Sequence, residues 1–95
     1  MILTLTDEQL DTVAKAAAVL MRPFDIAILI GLDSDGREEF LRNIRACSDL
    51  PYVNAYLFAR ATTQYDLHSS VVKLALKGSP AAQPIAEQYL KDQDL

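Results

Sequence analysis

The chain has 95 residues, 51% of them hydrophobic and 23% charged, with a net charge of −4. That is the length of one domain and the composition of a globular chain rather than a disordered one. The single cysteine, Cys47, excludes an intrachain disulfide and a cysteine-rich metal site and fits a reducing cytoplasm, while the acidic balance argues against nucleic acid as a partner.

Met1 to Leu5 is apolar, but it is too short for a signal-peptide core and lacks a basic flank. The segment "LTDEQLDTVAKAAAVLM" then predicts a helix. Thr6 is the expected N-cap and Gln9 its reciprocal partner three residues on, with Asp7 and Glu8 at the positive helix end. Leu10, Val13, Ala14, Ala17, Leu20 and Met21 recur at helical spacing as its apolar face. Arg22-Pro23 closes it, because a residue before proline avoids the helical region.

"PFDIAILIGLD" admits two readings. Pro23 suits the first position of a short buried helix. The alternating Ile26, Ile28 and Ile30 also suit a buried strand. The helix is preferred because the rest of the chain reads helical. The run Ile26 to Leu32 falls far short of the roughly 20 residues that a membrane helix needs.

"SDGREEFLRNIRACSDLP" predicts another helix, capped by Asp35 with Glu38 as its partner and carrying Phe40, Leu41, Ile44 and Cys47 on its apolar side. Residues 51–77 read as one long helix or two, with Asp66 available to cap the second. Val53, Tyr56, Leu57 and Ala61 share one face, and Leu67, Val71, Leu74 and Ala75 share another. Gly78 is a stop signal, and Pro84 opens a last helix. The expected fold is therefore all-α, a compact bundle of four to six short helices. The alternative is an α+β fold with a small sheet built from residues 2–5, 26–32 and 52–58. Residues 1–95 form a single small domain, and 91–95 is a frayed acidic tail.

Candidate sites are few. Aligned on Gly36, "GLDSDGREEF" resembles a calcium loop only at Asp33 and Asp35. The first ligand position falls on Gly31, and the position of the bidentate acid falls on Arg42. Cys47 and His68 are each alone of their type, so a thiol–imidazole pair depends on a proximity that spacing does not supply. The three glycines show no phosphate-binding spacing, and Ser69-Ser70 lacks a nucleophile-elbow context. No catalytic, cofactor or metal site is expected.

Arg37, Arg42 and Arg45 lie along one helix flank and are the candidates for phosphate contact in a small nucleic-acid-associated regulator. Glu38, Glu39 and Asp49 dilute that patch. Tyr52, Tyr56, Tyr65 and Tyr89, with Phe58 and Arg60, are of interface-prone types, and "YVNAYLFAR" places apolar groups on more than one side of a helix. Tyr52, Tyr56, Phe58 and Arg60 are the candidate partner surface, for another protein or for a second copy of the chain.

The opening "LTLTDEQLDTVAKAAAVL", with "FLRNIRA" downstream, resembles the start of a group of short uncharacterised bacterial proteins. These begin with a leucine-threonine, acidic, glutamine-leucine segment, followed by an alanine-rich helix and a phenylalanine-leucine helix. The resemblance covers about 25 residues, low in specificity because capped alanine-rich helices are common. Pro23 to Gly36 and everything after Ser48 depart from it. It implies a bacterial source and no particular activity. The expected function is that of a non-catalytic, cytoplasmic helical protein, regulatory or accessory, acting by protein–protein interaction. An acidic inhibitor protein from a mobile element is a further alternative.

Overall fold

The computed structural model describes residues 2–93. Among these the order is α1 (Asp7–Ala18), α2 (Pro23–Leu29), α3 (Ser34–Ala46), α4 (Pro51–Leu76) and α5 (Ala82–Lys91). No strand occurs among the described residues, so the all-α expectation is met and the sheet from 2–5, 26–32 and 52–58 is not formed. The chain divides into two compact units, one ending at Thr63 and one beginning at Gln64. The predicted tail, 91–95, lies partly outside the described residues, at 94 and 95.

The helix starts follow local chemistry. Thr6 Oγ1 accepts from the Gln9 amide at 3.1 Å, and the Thr6 amide donates to Gln9 Oε1 at 2.9 Å, completing the predicted capping box. Pro23 is the first residue of α2, where its missing N–H costs nothing. Ile26 and Ile30 are buried and Ile28 is exposed, the separation a helix imposes on that alternating run. At α3 the cap is Asp33, not Asp35. Asp33 Oδ1 accepts from the Gly36 amide at 2.8 Å. Both acids sit three residues before a usable amide, and the earlier one lengthens the helix by two residues, about half a turn.

The ends of α1 to α4 share one device. Met21 N donates to Ala16 O, Leu32 N to Ala27 O, Ser48 N to Asn43 O and Ser79 N to Leu74 O. These are Schellman bonds, and each needs a left-handed residue just before the donor. Gly31 and Gly78 supply two of them, and Leu20 and Cys47 the others, at φ 62° and 52°. Cys47 is therefore an exposed C-terminal cap rather than the core residue its spacing implied. The helix has already ended at Ala46, so helical spacing no longer places the thiol.

In the first unit, α1 contributes Val13, Ala16 and Ala17 to the core, α2 Ile26 and Ala27, α3 Phe40 and Ile44, and α4 Tyr52, Val53 and Tyr56. The alanines let α1 approach its neighbours closely. Gln9 Nε2 donates to Ile30 O at 3.0 Å, and Thr63 Oγ1 to Ala18 O at 2.6 Å. Leu20, predicted on the apolar face of α1, lies past its end and is exposed.

Candidate interaction surface

The second unit is a helical hairpin made of the last part of α4 and of α5. Residues 51–76 form one continuous helix, so Asp66 does not cap a new one. Gly78, at φ 90°, ends it, and Ser79-Pro80 turns the chain. Helix α5 opens at Ala82, two residues before the predicted Pro84. The Ala82 amide is held by Ser79 O at 3.2 Å, and Gln83 Nε2 reaches back to Ala75 O at 3.4 Å. The His68 and Tyr89 rings stack 3.8 Å apart at 13°. Small residues line the rest of the seam: Ala75 and Ala86 are half-buried and Ala82 is buried.

Ala82 is the one buried residue of this unit among those described. Its large apolar side chains stand open to solvent, led by Leu76 at 82% and Leu90 at 72%. Leu67, Val72, Leu74 and Ile85 are exposed with them. On α4, residues 67, 71 and 74 recur on one stripe, and 65, 72 and 76 on another. A helix that is apolar on several sides normally lies inside a core. Here its first part does, and within the second unit its last part packs against α5.

The sequence candidates separate. Tyr52 and Tyr56 are buried in the first unit, which corrects their assignment to a partner surface. The Tyr52 ring stacks on Phe40, with centroids 5.2 Å apart, and its hydroxyl accepts from Asn43 Nδ2 at 2.9 Å. Burial pushes its phenol pKa above the ordinary range, and the Asn43 bond opposes that only in part. The Tyr56 hydroxyl accepts from Arg60 Nη1 at 3.0 Å. Residues 52, 53 and 56 form the stripe that α4 buries, and each ring keeps its polar tip satisfied. Arg60 is half-buried beside Tyr56, whereas Phe58 is 76% exposed on a different side of the helix.

Arg37, Arg42 and Arg45 are not equivalent. Arg37 Nη1 donates to Leu32 O at 2.8 Å and so braces the turn before α3. Arg42 pairs with Glu39 at 2.8 Å, and this bond holds the Glu39 carboxyl below its usual range. Arg42 and Arg45 line a shallow groove together with Glu38, a mixed rather than a basic surface. The acidic loop is explained by the cap: a Cβ on Gly36 would sit 3.1 Å from the capping oxygen of Asp33. Among the described residues, no three His, Cys, Asp or Glu side chains are grouped to hold a metal ion. Nor, among the described residues, is any helix long and apolar enough to cross a membrane.

Compared with known proteins, the chain matches no family model, no curated protein and no solved structure.

Of the interface-prone types in the sequence, Tyr65 and Tyr89 fall in 64–93, but the candidate surface was centred on 52–60. The signal was present in Leu67, Val72, Leu74 and Leu76, which are too many apolar residues on too many sides for one short partner helix to cover.

Proposed function

We propose that this chain is a non-catalytic helical protein that works by binding protein through its 64–93 hairpin. The observation that carries the reading is the contrast between one buried residue, Ala82, and the open Leu76 and Leu90 in the same unit. Apolar area left open on a small unit is an interaction site or a liability, because its burial is favourable wherever a matching surface exists. The single cysteine fits a cytoplasmic setting, where such a partner would be met.

The test is a photo-reactive residue placed at Leu76 or Leu90 of the full chain, in the cells that produce it, with Asp11 on α1 as control. Protein adducts at the hairpin positions and not at Asp11 support the reading. Adducts at neither hairpin position overturn it.

A further inference from the structure

We propose that a second copy of this chain covers the hairpin, with α4 lying antiparallel to the same helix of its partner about a twofold axis between Ser70 and Val71. This rests on the reading of 64–93 as a docking surface and names its occupant.

The argument starts from spacing. Tyr65, Ser69, Val72 and Leu76 are separated by four, three and four residues, the interval of inward positions in a two-helix seam. Tyr65, Val72 and Leu76 are exposed, and Ser69 is half-buried. The stripe reads the same in both directions about a point between 70 and 71. A twofold pair requires that if one residue faces another, the reverse contact also occurs. The stripe meets that requirement: Tyr65 meets the partner's Leu76, and Ser69 meets the partner's Val72. Both contacts occur twice, and each sets a large side chain against an apolar one or a small one against a medium one.

Charge fixes the orientation. Asp66 and Lys73 follow Tyr65 and Val72 by one residue, so both lie on the same edge of the seam. Neither forms an ion pair within the chain among the described residues. In the antiparallel arrangement Asp66 lies beside the partner's Lys73, and Lys73 beside the partner's Asp66. In a parallel arrangement Lys73 would instead share a level with the partner's Lys73. The pairing charges of such a seam choose both the partner and its direction. The described part of the hairpin also carries three acids (Asp66, Glu87, Asp92) and three bases (Lys73, Lys77, Lys91), so two copies meet without net repulsion. Two hairpins joined in this way make four helices around a shared core, which one hairpin cannot enclose.

The experiment compares solution mass across a dilution series for the full chain and its D66K, K73D and D66K/K73D variants. The full chain is expected at twice its 10.5 kDa mass. Each single swap sets like charges together and should weaken pairing about ten-fold or more, and the double swap should restore it. Helix content by circular dichroism separates lost pairing from lost folding. A second variant carries C47S with Tyr65→Cys and Leu76→Cys. Within one chain these positions lie about 16 Å apart along α4, beyond the roughly 7 Å that a disulfide spans, so a disulfide linking position 65 of one chain to position 76 of the other, read by peptide mapping, reports the proposed seam, whereas 65–65 and 76–76 links report a parallel one. A chain that stays monomeric at every concentration, or a double swap that does not rescue pairing, overturns the proposal. A monomer whose photo-reactive Leu76 position captures a different protein overturns self-pairing and leaves the docking surface standing, whereas no adduct of any kind removes both.

Discussion

The two units of this chain use the same rules for starting and stopping helices and differ in what those helices enclose. Up to Thr63, side chains from four helices converge on Phe40, Ile26, Val13 and Val53, which are fully buried. From Gln64 onward, two helices meet along a seam of alanines and one ring stack, and the leucines point outward. Caps and turns therefore decide where helices form, but not whether they can stand alone. Two helices have too few facing surfaces to remove their apolar side chains from water, and four do not.

The largest effect should separate the units outright. Phe40→Ala empties the centre of the first unit and should cost about 3–5 kcal/mol. Leu76→Ala, in the second, should cost no more than about 0.5 kcal/mol when urea unfolding is measured at high dilution. Equal costs would break the contrast. Next in size is the cap of α3: Asp33→Ala should lose about 1 kcal/mol, while Asp35→Ala stays near neutral in the same assay.

The shared helix-end device gives a matched pair across the units. Cys47→Gly relieves a left-handed side chain and should raise the melting temperature by a gain of about 0.5–1 kcal/mol. Gly78→Ala imposes that same strain on the hairpin and should lower its stability by about 1 kcal/mol.

The smallest effect is a pH dependence confined to the first unit. Folded Tyr52 keeps its proton at a pH where the unfolded chain has released it. Its stabilising contribution is complete below the ordinary tyrosine pKa of about 10 and is lost as pH rises from there through the higher folded value. Tyr52→Phe should flatten that alkaline decline in thermal melts between pH 9 and about 11, while giving up the bond from Asn43.

Much of the fold was legible because it rests on neighbours in sequence. The capping box of Thr6 and Gln9, Pro23 at the start of α2 and Gly78 at the end of α4 are local chemistry, and each falls where its residue type points. The misreadings arose where two local solutions compete or where the third dimension decides. Asp33 and Asp35 offer rival caps within one turn. Cys47 keeps helical spacing past the point where the helix has ended. Tyr52 and Tyr56 have side chains suited equally to a surface and to a core with polar partners, and only Asn43, Arg60 and Phe40 settle which. The exposed hairpin was legible in composition but not in consequence. Seeing that Leu76 lacks cover requires knowing that α5 is the only helix beside it in its unit.

The unbroken backbone of α4 has a consequence for hydrogen exchange. One ladder of amides runs from the buried Val53 to the exposed Leu76, with no cap between Thr63 and Gln64 to isolate the two parts. Opening can therefore enter from the Leu76 end and travel inward until it reaches Thr63, whose hydroxyl bond to Ala18 O ties the helix into the first unit. Amide protection in a dilute sample should fall steadily along this single helix, from the global value near Val53 to almost none near Leu76. Any ligand that holds the hairpin would be read as a levelling of that slope.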